Sequence, residues 1–207
     1  MKKLLLISVL AMFTVSLIGQ DLETIIKKHE KAIGFEAMQK TESIKISAVT
    51  STMGMEIFMT MYEKQPDKNR IEMDFNGMQM ITVVNGDKGY MINPMMGSSE
   101  PVAISGAELA SAKNQKVLGS GFSEALKENR VELIGESEFE GKAVYKLKME
   151  TEAGPAYAYI DKSDYLVLGM ELEMTQMGQT ITAMVKMMDY KEVNGFMLAH
   201  KMINSAM

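Results

Sequence analysis

Thioether sulfur is the reactive group this chain supplies in quantity: 23 methionines stand beside two histidines and no cysteine. Three Met-x-Met pairs occur, Met53-Gly54-Met55, Met59-Thr60-Met61 and Met78-Gln79-Met80. In an extended segment, side chains i and i+2 share a face, so each pair presents two sulfurs on one side. Two kinds of chemistry suit such a surface. Thioethers are soft ligands that match Cu(I). The same side chain, unbranched and with three rotatable bonds, also makes a wall that adapts to whatever lies against it. Met53, Met55, Ile57, Met59 and Met61 carry the pattern over five alternate positions, and ten methionines fall between 53 and 96. Met specifies a unique core poorly, so the set reads first as the lining of an apolar ligand cavity. Copper stands second, because alternation alone generates Met-x-Met in any Met-rich strand and neither histidine is near in sequence.

Other chemistry finds few candidates. His29 falls on the apolar side of the first helical stretch and His200 alternates with Met202 in the last strand, as packing or surface residues do. Gly119-Ser120-Gly121 lacks the strand-to-helix elbow and the partners of a serine nucleophile. Asp161, Asp164, Glu171 and Glu173 have the spacing of a turn and a solvated strand face rather than of a paired acid and base. No phosphate-binding glycine loop is present. The reading is a non-enzyme without cofactor.

The elements that must position the methionines follow from periodicity. Asp21 to Gln39 reads as a helix, with Leu22, Ile25, Ile26, His29 and Ile33 on one side, Asp21 as N-cap and Gly34 as a break. From Ser43 the period becomes two, predicting strands near 43–52, 54–63, 69–76, 78–85 and 88–93. Asn76-Gly77 and Asn85-Gly86 supply tight hairpin turns. Residues 94–121 break the rhythm, and Ser105-Gly106-Ala107-Glu108 matches a capping box opening a helix to about Lys116. Residues 123–129 add a further helical turn or two. Strands resume near 130–136, 142–150, 156–161, 165–175, 179–190 and 196–204, with Leu166, Leu168, Met170, Leu172 and Met174 forming a second apolar face. About eleven short strands imply a mainly β, antiparallel meander curled around one hydrophobic interior, with helices available as plug or lid.

The N-terminus reads as a signal peptide: Lys2 and Lys3, an apolar run from Leu4 to Ile18, and a cleavage point near Gly19-Gln20. The run of about 15 residues is short for a bilayer span. The remaining residues, 21–207, form one domain, exported and periplasmic. Without Lys2 and Lys3 the chain keeps 20 basic against 27 acidic groups, a charge of −7, which argues against nucleic acid as a partner. The last predicted strand has no return strand before Met207, and two readings stay open there: a sequence truncated at its C-terminus, or an open sheet edge.

Tyr62-Glu63-Lys64-Gln65-Pro66, then Arg70-Ile71-Glu72-Met73, Gln79, and Asn85-Gly86-Asp87-Lys88-Gly89-Tyr90-Met91-Ile92-Asn93-Pro94 carry a resemblance. This segment resembles the periplasmic outer-membrane lipoprotein-sorting family, the LolA-like carriers. The resemblance implies a half-open β-barrel of about eleven strands with an N-terminal helix and a helical lid, expected here at 94–121. It also implies a monomeric carrier of a lipid or acylated lipoprotein, with an inner-membrane releasing complex and an outer-membrane acceptor as partners. The wall is expected to include Met53, Met55, Ile57, Met59, Met61, Ile71, Met73, Phe75, Tyr90, Leu166, Leu168, Met170, Leu172 and Met174. Lys64 and Arg70 are expected at the cavity mouth or lid. Besides copper, a docking or sensory domain of the same fold remains open.

Overall fold

A computed structural model describes residues 21–52, 55–118, 122–151, 154–176 and 179–206. The expected signal peptide at 1–20, Met53, and Gly119-Ser120-Gly121 lie outside the described residues. Two helices open the fold, α1 (Leu22–Ile33) and α2 (Phe35–Lys40). Asp21 caps α1, its Oδ1 accepting from Thr24 N at 2.7 Å. Gly34 ends α1 in the left-handed region, φ 73°. A Cβ at Gly34 would stand 1.9 Å from the Gly195 carbonyl oxygen, so glycine alone lets the helical joint close onto the last hairpin.

Six strands follow as a meander: β1 (Ser43–Thr52), β2 (Met55–Lys64), β3 (Lys68–Phe75), β4 (Met78–Asn85), β5 (Lys88–Asn93) and β6 (Ser98–Ile104). They form one antiparallel sheet in chain order, sheet A. Asn76 and Gly77 both take positive φ, as a type I′ hairpin turn requires. At the β4–β5 turn Gly86 has positive φ. Pairing of Asn85 with Lys88 closes that turn over two residues.

α3 (Gly106–Asn114) and α4 (Phe122–Lys127) lead to the second sheet. Sheet B comprises β7 (Val131–Phe139), β8 (Lys142–Thr151), β9 (Gly154–Asp161), β10 (Val167–Gln176), β11 (Gln179–Val193) and β12 (Phe196–Ala206), again in chain order. Among the described residues, β6 does not pair with β7, nor β1 with β12, so the barrel is open. Among the described residues there are twelve strands, where about eleven are expected. The added one, β6, lies in the segment expected to be lid. Pro101 obscures it in sequence, yet Pro is tolerated at a sheet edge, and β6 is the edge of sheet A. Within 94–118, then, Ser98–Ile104 is strand, and α3 with the residues after it to Leu118 is the part that packs over sheet A.

The main core lies between sheet B and the helices. Ile25 and Ile26 of α1 and Phe122 and Ala125 of α4 pack on Val131, Tyr145, Leu147, Ala158, Ile160 and Val167. His29 joins them, its Nδ1–H donating to the Tyr165 carbonyl at 2.7 Å and its ring edge-on to Phe122. Burial pushes its imidazole pKa down. Smaller clusters unite α2 with Leu118 and Phe196, and α3 with Val84 and Ile104. Among the described residues no helix is long and apolar enough to cross a membrane.

A candidate ligand wall on sheet A

The pairing registers of sheet A align its inner side chains, those facing the helices, into lateral rows. Ile44, Glu63, Asn69, Val84, Gly89 and Ile104 form the row nearest the helical cover. The next runs Ile46, Met61, Ile71, Thr82, Met91. Then come Ala48, Met59, Met73, Met80, and last Thr50, Ile57, Phe75, Met78. Strand alternation therefore places Met59, Met61, Met73, Met78, Met80 and Met91 on one face. The opposite face presents Lys45, Phe58, Tyr62, Arg70, Gln79 and Val83 among others, and no described methionine of β2 to β5.

The cover is fastened at the first row by two buried polar groups, each 4% exposed. The Glu63 carboxylate accepts from Val117 N at 2.7 Å and from Leu118 N at 3.0 Å. Asn69 Nδ2 donates to the Ala112 carbonyl at 2.8 Å and to Gln115 O at 3.4 Å. Among the described residues, Asn69 Oδ1 is a buried acceptor without a partner. Leu109 and Ala112 of α3 press on Val84, Ile104 and Met91. Beyond this row the cover thins. Ile71 is buried, but Ile57, Met59, Met61, Met73, Phe75 and Met80 are half-buried, and Met78 is exposed. The apolar face is thus an open wall with one fastened end.

Several expected site residues lie elsewhere. Tyr90 alternates with inward-facing Gly89 and Met91, so it points outward and is 45% exposed, paired laterally with Val83 and Ala103. Lys64 and Arg70 alternate with Glu63, Asn69 and Ile71, which puts both on the outer face rather than at a mouth or lid. There Arg70 Nε donates to Glu72 Oε1 at 2.6 Å, and an open cleft of about 470 Å³ runs past Lys45, Tyr62, Lys64, Lys68 and Arg70. On sheet B, the expected Leu166–Met174 face is interrupted. The β9–β10 register shifts between Val167 and Gly169. Leu168 consequently packs with Val144, Tyr159 and Met184 on the outer side, while Met170 joins the inner core. Leu166 precedes β10 in the connecting loop, where its carbonyl accepts from Asp161 N. Leu172 pairs with Ala156 and Ala183. Met53 is outside the described residues, and for Met55 and Met174 the backbone alone is described.

Sequence reasoning missed Glu63 and Asn69, although a signal was present. Glu63 continues the odd series Ile57, Met59, Met61, and Asn69 begins the series Ile71, Met73, Phe75. A polar residue at an apolar register position needs a buried partner. Gln65 also has a fastening role: its Nε2 donates to the carbonyls of Met38 and Thr41, tying the β2–β3 turn to the end of α2.

Solved structures share this fold. A LolA superfamily protein from Nitrosomonas europaea superposes with a TM-score of 0.57 at 11% identity, over 90% of this chain and 86% of that one. A DUF1329 family protein from Desulfovibrio piger gives 0.56 at 14% identity, over 87% and 85%. A domain described as an outer membrane lipoprotein-sorting protein, from Vibrio parahaemolyticus, gives 0.54 at 15% identity, over 88% and 86%. At these identities the likeness establishes a LolA-like fold. No family model matches the chain, and no curated protein sequence does.

Proposed function

We propose that this protein is a periplasmic carrier that takes up acyl chains, or the lipid moiety of lipoproteins, on the inner face of sheet A and passes them toward the outer membrane. The observation that carries the reading is the one-sidedness of the wall: six methionines on the inner face, half-open, beside a cover fastened at one end. The fold shared with a lipoprotein-sorting domain supports it. Burial of hydrocarbon contributes about 0.8 kcal/mol per CH₂, so a 16-carbon chain gains roughly 10 kcal/mol before the cost of ordering it. A wall that leaves part of that chain wet retains less, which suits a carrier that must release. The helical cover, residues 106–118, is the element that lifts, and an inner-membrane donor and an outer-membrane acceptor complete the route. No bond is made or broken in this function, and the carrier acts as a monomer.

Mass spectrometry of organic extract from the purified mature chain tests the proposal, together with titration of a fluorescent 16-carbon fatty acid. Co-purified lipid and saturable uptake at one site are the expected results. A chain that carries no lipid and leaves the fatty acid in solution overturns it.

A further inference from the structure

We propose that the row Met59, Met73, Met80 is also a binding site for a soft monovalent metal ion, Cu(I). The three residues are direct lateral neighbours on β2, β3 and β4. Adjacent strands lie about 4.8 Å apart, and the three rotatable bonds of Met let the outer two sulfurs lean toward the middle one. Three thioethers can then reach a common point on the inner face of the sheet. Met61 and Met78 stand two residues along β2 and β4 on the same face, so further sulfurs flank the row.

The charge of the site selects the ion. The row itself carries no ionisable group among the described residues, and Glu63, a buried carboxylate of that face, lies two rows away, bound to the amides of Val117 and Leu118. A neutral, soft ligand set suits a cation of charge +1 and offers little to Zn²⁺ or Ca²⁺, which want imidazole, thiolate or oxygen. Among the described residues no group of three His, Cys, Asp or Glu could hold a metal ion elsewhere. Hydrocarbon burial needs apolar area, which Leu supplies as well. A row of three sulfurs supplies a ligand set that Leu cannot. Thioethers have no proton to lose on binding, so affinity is flat across pH 5 to 8, unlike that of imidazole or thiolate sites.

The experiment is anaerobic titration of the mature chain with Cu(I) against a chromogenic chelator, repeated with Ag(I). One ion per chain is expected, with a sulfur-only shell by X-ray absorption. The triple variant Met59→Leu, Met73→Leu, Met80→Leu keeps volume and apolarity while removing all three sulfurs. Its Cu(I) affinity falls roughly 100-fold or more, about 2.7 kcal/mol. Copper bound by a chain that takes up no fatty acid sustains this inference and removes the carrier reading alone. A wild-type chain that yields all copper to the chelator overturns the inference. So does a nitrogen or oxygen shell, a triple variant with wild-type affinity, or an affinity that climbs with pH. Should the triple variant not fold, Met73→Leu alone serves, with loss of one sulfur from the shell as its readout.

Discussion

The two sheets have the same strand number and the same pairing order, yet their inner faces are built differently. Sheet B meets α1 and α4 over most of its centre, and Leu147 and Ile160 there are 0% exposed. Its methionines fall on both faces: Met149, Met170 and Met187 inside, Met184 outside. Sheet A meets helical cover along its first row and at Met91, and its other described inner methionines lie where that cover ends. Branched side chains with few rotamers occupy positions whose neighbours are fixed by the fold. Unbranched, pliable ones occupy positions that the fold leaves half-covered. The difference separates a closely covered face from one left largely open.

Truncation on each sheet breaks this contrast most directly. Leu147→Ala, in the sheet B core, is expected to cost about 3 kcal/mol of stability, against about 1 kcal/mol or less for Met73→Ala; urea unfolding followed by circular dichroism measures both. Equal costs would make sheet A an ordinary core. The second test inverts the readout: Met73→Glu places a charge mid-wall and is expected to weaken fatty-acid uptake roughly 30-fold, about 2 kcal/mol, while its unfolding midpoint stays near wild type. Glu63→Gln sharpens the description of the fastened end. It replaces one acceptor oxygen with a donor facing the Val117 and Leu118 amides. Local opening should become easier by about 1.5 kcal/mol, read as faster hydrogen exchange at those two amides with little change in sheet B.

A smaller effect belongs to the sheet B side alone. His29 is held neutral by burial, so the unfolded chain takes up a proton near pH 6.5 that the folded chain resists. Its contribution is present above that pH and lost as pH falls through it. Between pH 7 and pH 5 wild type should lose up to about 1 kcal/mol more than His29→Phe, measured as paired unfolding curves. The smallest effect tests the outer face: Arg70→Ala should leave fatty-acid uptake within about twofold of wild type, since an exposed ion pair with Glu72 adds little.

Much of this architecture is legible in the residues. Period-two patterning and the Asn-Gly pairs locate β1 to β5 within a residue or two, because hairpin turns demand residues that accept positive φ. β6 escapes, since Ser98-Ser99-Glu100-Pro101 reads as loop until a sheet edge excuses the proline. The apolar row of sheet A is legible for the same reason as its strands, so Ile57, Met59, Met61, Met73 and Phe75 come together as alternation says. The face of β10 is not, because one bulged residue reverses which way Leu168 points and nothing local announces it. Tyr90, Lys64 and Arg70 show the hazard of carrying roles over by resemblance without counting parity along the strand.

The bare oxygen of Asn69 bears on the proposed opening of the cover. Enclosed without a donor among the described residues, it raises the energy of the shut arrangement, by about 1–3 kcal/mol for a group of its kind. Under the proposed lifting of the cover, water would reach that oxygen and offset that energy. In the proposed carrier, the same oxygen would therefore lower what detaching the cover costs, against the hold of the Glu63 and Asn69 hydrogen bonds.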